Sequence, residues 1–217
     1  MASCCHADEY SSLFGGGEAT RRAWLFRHVG LHGSARRAAE FAANAGDGDA
    51  TLLEVGGGLG EIQVALLEQD RVATATSVDL STGWEDRAVE LLVERGLADR
   101  VERRVGDVVD DVEDLPVADL VVAHRVLCCY PHWQRMVDAL LALTRRRLVV
   151  TLPVDRRRTR AFIGIGNRFM ARSGRAFRAF VHPVDDVLAH AAAAGFVVVD
   201  DDAGLAWRTI ALEPRGT

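Results

Sequence analysis

Thr51-Leu52-Leu53-Glu54-Val55-Gly56-Gly57-Gly58-Leu59-Gly60-Glu61 passes from a short apolar run, through one acidic residue and a glycine cluster, into the helix-like segment 62–68. Glycines at 56, 58 and 60 let the chain turn tightly after a strand and approach a ligand with no Cβ in the way. The unsatisfied N–H groups at the start of the following helix suit polar or anionic parts of a nucleotide-type ligand. Dinucleotide-binding enzymes and many plain αβ turns share such a strand–turn–helix. Glu54, two residues before the first glycine, narrows the choice.

Outward from this segment, strand-like and helix-like stretches alternate to the end of the chain. The strands are expected at 51–55, 72–79, 101–105, 119–123, 148–152, 196–199 and 207–212, and the helices at 61–68, 83–95, 132–144 and 184–194. In 84–95, apolar Ala88, Leu91 and Leu92 recur at helical spacing. Such alternation predicts an α/β, Rossmann-like fold: a seven-stranded, mostly parallel sheet with helices on both faces. The last two strands are joined by only 200–206, too short for a crossover helix, so the last strand must run antiparallel. Six helical crossings are expected before that closing hairpin, which a dinucleotide oxidoreductase would lack. Residues 1–48, with a Gly15-Gly16-Gly17 turn and helices expected at 18–29 and 34–45, read as a helical cap. Residues 155–180 read as an insertion after strand five, carrying Arg156, Arg157, Arg158 and Arg160 beside Phe162, Ile163, Ile165, Phe169 and Met170. Both can reach the strand ends where open α/β sheets bind ligands, and both are expected to shape a substrate pocket within one domain spanning 1–217.

Glu-Val-Gly-Gly-Gly-Leu-Gly at 54–60 resembles the first motif of class I S-adenosylmethionine (SAM)-dependent methyltransferases, and the resemblance covers residues 50–213. It implies a fold in which the last strand inserts between the fifth and sixth. It also implies SAM as cofactor, with S-adenosylhomocysteine as product, glycines 56, 58 and 60 flanking the methionine part of SAM, and Glu54 organising its amino end. A narrower resemblance is to magnesium-protoporphyrin O-methyltransferases, which esterify a propionate of a flat tetrapyrrole. It rests on Tyr10…Phe14, the turn after strand four, and Thr151-Leu152-Pro153 before an Arg-rich apolar insertion. The chain departs from that family in its Cys-Cys-Tyr-Pro turn and its glycine loop. It is also similar to short actinobacterial methyltransferases.

Asp79 closes the second strand, 19 residues after Gly60. A carboxylate fixed there can accept both ribose hydroxyls, the alternative being a helix N-cap or turn aspartate. Gly106-Asp107-Val108 after the third strand resembles the Gly-Asp-aliphatic motif in which Asp107 accepts from the adenine amine; a plain turn is the alternative. Leu80 or Trp84 can cover an adenine face. The fourth strand ends in Ala123-His124-Arg125-Val126-Leu127-Cys128-Cys129-Tyr130-Pro131. Here His124 is read as general base or as a structural hydrogen-bonder, and Tyr130 as orienting a substrate oxygen or packing in the core. Arg125 matches a carboxylate of SAM or of substrate. Tyr10 and Phe14 are read as an aromatic lid over SAM and substrate, and Arg178 and His182, at the insertion's exit, as substrate contacts. The bland reading of the insertion's cations is a solvated helix face.

Composition excludes several classes. At 217 residues and 49% apolar, the chain can bury a sizeable core. Its net charge of −5 argues against a nucleic-acid binder. All its basic side chains other than histidine are arginine, which removes lysine as Schiff base or general base. No apolar run reaches the roughly 20 residues a membrane span needs, and the N-terminus shows no secretory pattern, so a cytoplasmic protein is expected. Cys4-Cys5 and Cys128-Cys129 are adjacent pairs, read as idle thiols or, with His6 and His124, as a thiolate cluster for soft metals. No metal is expected. The expectation is a monomer or homodimer that methylates a small molecule, most naturally at a hydroxyl or carboxylate oxygen. The alternatives are a SAM-binding cyclase or lyase and a non-catalytic SAM-binding subunit.

Overall fold

The computed structural model describes residues 17–216. Seven strands form one sheet: β1 (Thr51–Val55), β2 (Thr74–Asp79), β3 (Val101–Val105), β4 (Ala118–His124), β5 (Thr144–Pro153), β6 (Phe196–Ala203) and β7 (Trp207–Pro214). Their order is 3-2-1-4-5-7-6; β7 enters between β5 and β6 and is antiparallel to both, while β1 to β5 run parallel. The class I methyltransferase topology expected from the motifs is therefore the topology observed.

Side chains along the central strands alternate between two hydrophobic clusters, as the period of two requires. Leu53, Val121, Ala123, Leu148 and Val150 face α5 (Trp133–Ala142) and α7 (Val184–Ala193). Leu52, Leu120, Val122 and Val149 face the other way, toward α1 (Gly17–Val29), α2 (Gly33–Ala43), α3 (Glu61–Glu68) and α4 (Glu85–Glu94). The α1 stripe Ala19, Ala23 and Phe26 and the α2 set Ala38, Ala39, Phe41 and Ala42 belong to this second cluster. α2 packs on α3, β4, β5 and β7, so it is a layer of the core as well as a wall above the strand ends. The insertion forms α6 (Arg157–Arg172) and an irregular return to α7.

Several features differ from the sequence reading. The connection from β3 to β4 holds a 3-10 turn (Val112–Asp114) and no α-helix, so the six expected helical crossings do not all occur. The helix expected at 83–95 begins as a 3-10 turn, Thr82–Trp84, because Ser81 Oγ accepts from Gly83 N and caps the chain there. β5 starts at Thr144 rather than 148, and β6 continues to Ala203 rather than ending at 199. Thr144-Arg145-Arg146-Arg147 and Asp200-Asp201-Asp202 read as polar loops in isolation. In the fold each run meets the opposite charge: Arg145–Asp119, Arg147–Asp200, Arg208–Asp201 and Arg37–Asp202. Gly15 and Gly16 of the expected turn lie outside the described residues, and Gly17 opens α1.

Arg147 is the most enclosed of these charges, 8% exposed. Its fork donates to Glu213 Oε1 at 2.7 and 2.9 Å, to Asp200 Oδ2 at 3.2 Å and to the Phe41 carbonyl at 2.6 Å, tying α2 to β5, β6 and β7. Truncation leaves two carboxylates and a helix-end carbonyl without their donor. Arg147→Ala is expected to lower unfolding free energy by about 2–3 kcal/mol, discounted because its partner carboxylates keep some water. Denaturant melts that show less than about 0.5 kcal/mol would rule this out.

Candidate active site

The ends of β1, β2, β3 and β4 open onto one cavity of about 480 Å3. It lies where the strand order reverses between β1 and β4, the place where open α/β sheets bind ligands. A wider cleft of about 660 Å3 lies among α1, α2 and α3, lined by Arg27, Arg36 and Glu68 among others, and no strand end reaches it.

On the first wall of the cavity are Gly56, Gly57 and Gly58. Gly56, Gly58 and Gly60 have φ of 61°, 60° and 83°. Gly60 is the residue preceding α3, and its left-handed backbone turns the chain into the helix. Gly57 is needed for a different reason: a Cβ there would lie 2.6 Å from Glu54 Cδ. Two buried carboxylates hold this loop. Asp79 accepts from Gly58 N and Ser81 N, both at 2.9 Å. Glu54 accepts from Gln63 N at 3.2 Å, in the first turn of α3. Asp79 lines the cavity, whereas Glu54 and Gly60 lie behind the loop and do not. Glu54 holds the loop from the protein side, through Gln63 N. Loss of hydration and the nearby Glu61 push its carboxyl up to about 7.

The second wall carries Leu80, Trp84, Gly106, Asp107 and Val108. Asp107 Oδ1 accepts from Val109 N at 3.0 Å, and its buried Oδ2 has no partner. Burial raises the carboxyl pKa of both Asp79 and Asp107. Arg22 of α1 lies 5.4 Å over the Trp84 ring and pairs with Glu61 through both carboxylate oxygens.

At the end of β4, His124 Nε2 lies 3.0 Å from Ser34 Oγ. That hydroxyl oxygen already accepts from Arg125 Nε and Nη2 at 3.2 and 2.9 Å, so its one hydrogen goes to His124 Nε2. A neutral imidazole accepting there agrees with a pKa pushed down to about 3 by burial and by the flanking Arg125 and Arg22 charges. In this geometry the Nε2 lone pair of His124 accepts the Ser34 hydrogen, the structural arrangement expected as the alternative to a general base. Arg125 holds φ of 61°, uncommon for a residue with a side chain, and its guanidinium lies 4.4 Å from the Trp207 ring centre. Among the described residues it pairs with no carboxylate.

The remaining predicted positions divide. Tyr130 lines the cavity from the buried core, next to Cys128, Cys129 and Met136. His182 is not in the wall. It is buried, with Nε2 at 2.9 and 3.0 Å from the carbonyls of Leu127 and Tyr130, and it braces the 127–130 turn. Arg178 points back to the carbonyls of Arg175 and Phe177; its neighbours Phe177 and Ala179 line the cavity instead. Cys128 Sγ lies 3.3 Å from the Arg125 carbonyl and 3.7 Å from Cys129 Sγ, and among the described residues no three His, Cys, Asp or Glu side chains converge on one point. Tyr10, Phe14, Cys4, Cys5 and His6 lie outside the described residues. Ser34, Glu18, Arg22 and Trp207 are wall or wall-supporting residues that sequence reading missed. No local motif marks them, because they come from three separate elements, α1, α2 and β7.

Residues 53–147 match the family model described as "Methyltransferase domain". The matched segment covers less than half of the chain, and the topology and strand-end cavity are those of the class I SAM-dependent methyltransferase fold. A search of curated proteins finds no match. Among solved structures, magnesium protoporphyrin IX methyltransferase from Synechocystis, determined with bound S-adenosylhomocysteine, is 16% identical at TM-score 0.69, covering 95% of this chain and 93% of that one. An O-methyltransferase family protein from Burkholderia thailandensis is 17% identical at TM-score 0.71, covering 97% and 61%. A [4+2]-cyclase is 18% identical at TM-score 0.60, covering 83% and 82%.

The raised Glu54 pKa has a consequence for stability. Between its unfolded value near 4.5 and its folded value of about 7, the folded chain holds more protons than the unfolded one. Stability from this group is therefore present below pH 4.5, is lost as pH rises to about 7, and is level above that. Glu54→Gln keeps an acceptor for Gln63 N and removes the titration. The parent should lose about 3 kcal/mol relative to this variant across the window, an upper figure. A parent–variant difference that stays flat from pH 4 to 8 would show that Glu54 is not held in this way.

Proposed function

We propose that this protein transfers the methyl group of SAM to an oxygen of a small molecule, a hydroxyl or a carboxylate, in secondary or cofactor metabolism. The observation that carries the reading is one strand-end cavity lined by glycine backbone and the Asp79 and Asp107 carboxylates together with the mainly apolar Cys128, Tyr130, Met136, Phe177, Ala179 and Trp207. The polar part of that lining fits SAM: Asp79, fixed by two backbone N–H groups, suits a ribose diol, and the orphaned Asp107 Oδ2 suits the adenine amine. Leu80, Val108 and Trp84 suit its faces. Gly56 and Gly58 suit the methionine part.

SAM supplies a methyl carbon already activated on a sulfonium, so the protein's task is proximity and orientation. Arg125 and Arg22 are cations on the cavity wall and suit a carboxylate of SAM or of substrate. Tyr130 suits a substrate oxygen. His124, neutral and bonded to Ser34, orients Arg125 through that shared hydroxyl. A carboxylate nucleophile needs no base, and this arrangement favours it. A cytoplasmic monomer or homodimer belongs to the same proposal.

A second reading, a SAM-fold protein that binds the cofactor without methylating, is kept by the structural similarity to a [4+2]-cyclase. Mass spectrometry of cell-extract reactions supplied with SAM separates the two. Products heavier by one methyl support transfer; methylthioadenosine, or tight SAM binding with no turnover, would sink it.

Two variants test the site. By calorimetry, the parent should prefer S-adenosylhomocysteine over its deaminated hypoxanthine analogue by about tenfold or more. Asp107→Asn, which puts a donor where Oδ2 stood, should narrow or reverse that preference. Equal binding of both ligands by the parent would discard the adenine assignment. For His124→Gln, the pH–rate profile should keep the parent's shape, with no limb lost near the ordinary imidazole range; disappearance of such a limb would restore His124 as base.

A further inference from the structure

Helix α6 has no buried residue, although it carries three large apolar side chains on one side. Phe162, Ile165 and Phe169 are 78%, 71% and 68% exposed. At 3.6 residues per turn they fall within an arc of about 60° on a helix about 24 Å long. The helix leans on the body through its other side, where Thr159, Ile163, Asn167 and Met170 are half-buried. Asn167 exchanges two hydrogen bonds with Ala179, at 2.7 and 2.9 Å, and Ala179 lines the active-site cavity. The orientation of the apolar stripe away from the protein is thus fixed by contacts on the opposite face.

Charge separates this segment from the rest of the chain. Residues 156–178 hold eight of the 26 arginines and no carboxylate, leaving 18 arginines against 31 carboxylates elsewhere. Among the described residues, 14 of those 18 form ion pairs. Within 156–178 only Arg160 does, with Asp155. Arg157, Arg158, Arg168 and Arg172 therefore stand beside the apolar stripe without a counter-charge among the described residues. An apolar stripe flanked by uncompensated cations is the pattern of a helix that lies in the interface of an anionic bilayer, its rings in the acyl boundary and its guanidinium groups at the phosphates.

We propose that α6 docks this protein onto the surface of a membrane containing anionic lipid. The net charge of −5 would repel such a surface, so binding must be local to this helix. Through Asn167 and Ala179, the docked helix is coupled to one wall of the cavity.

The test is co-sedimentation of the full chain with vesicles of phosphatidylcholine alone and of phosphatidylcholine containing about one-third phosphatidylglycerol, at low and high salt. Binding is expected with phosphatidylglycerol, little without it, and loss on raising salt. The combined variant Phe162→Ser, Ile165→Ser, Phe169→Ser and the combined variant Arg157→Gln, Arg158→Gln, Arg168→Gln, Arg172→Gln should each lower partitioning at least about tenfold. S-adenosylhomocysteine affinity should match the parent in both, since none of these residues lines the cavity. No partitioning, or equal partitioning into both vesicle types, would overturn the proposal. So would a parent dimer, seen by sedimentation velocity, that the serine variant dissociates while vesicle binding is absent. Binding of single-stranded RNA in place of vesicles, lost with the arginines and kept with the serines, would overturn it too.

Discussion

The structure depends on a short loop held from both sides by buried carboxylates. Five residues, 56–60, must leave a parallel strand, reverse and start a helix while keeping N–H groups directed at a cavity. Left-handed glycines allow the path but do not select it, because glycine is permissive in every direction. Selection comes from Asp79, which joins the loop at Gly58 to the turn after β2, and from Glu54, which holds the first turn of α3 through Gln63 N. Burying two carboxylates opposes folding, and both have raised pKa values as a result. The backbone N–H groups they accept from offset that cost and fix the geometry of the site.

A second set of constraints comes from arginine. With no lysine in the chain, every long cation is a planar fork able to reach two acceptors at once. Arg147 joins three strands and a helix end; Arg22 bridges α1 to the start of α3 while covering Trp84; Arg125 stacks on Trp207 and shares Ser34 with His124. In each case the cation lies between elements far apart in sequence. Arg22 and Arg125 tie together walls of the cavity, Arg147 ties the sheet to α2 away from it, and α6 stands out because it is left out of these bridges.

His124 shows how the same residue changes meaning with its surroundings. At a strand end beside a cavity, an imidazole with an ordinary pKa is a natural base. Burial, two flanking arginines and a hydroxyl whose hydrogen has no other acceptor turn it into a neutral brace. His182 follows the same logic on the other side of the turn, where two carbonyls surround its ring nitrogen. The 124–130 turn is thus gripped at both ends by histidines, and Tyr130 and the cysteines present themselves to the cavity from a fixed backbone.

The sequence by itself determined the alternation of strands and helices, the glycine loop and the positions of Asp79 and Asp107, because these rest on local patterns: a period of two, a period of 3.6, glycines where the backbone turns, and carboxylates at strand ends. Its expectations were short by four residues at the start of β5 and at the end of β6, where runs of arginine and aspartate look like solvent-facing loops. Only the tertiary structure decided that each of those runs meets opposite charges, mostly from other elements, that Ser34 meets His124 across 90 residues, and that Arg178 and His182 turn away from the cavity. It alone separated the insertion into a half-buried side and an exposed apolar stripe. The physical reason is the same throughout: backbone conformation follows from near neighbours, whereas a charge, a proton or an exposed ring takes its role from whatever distant chain packs against it.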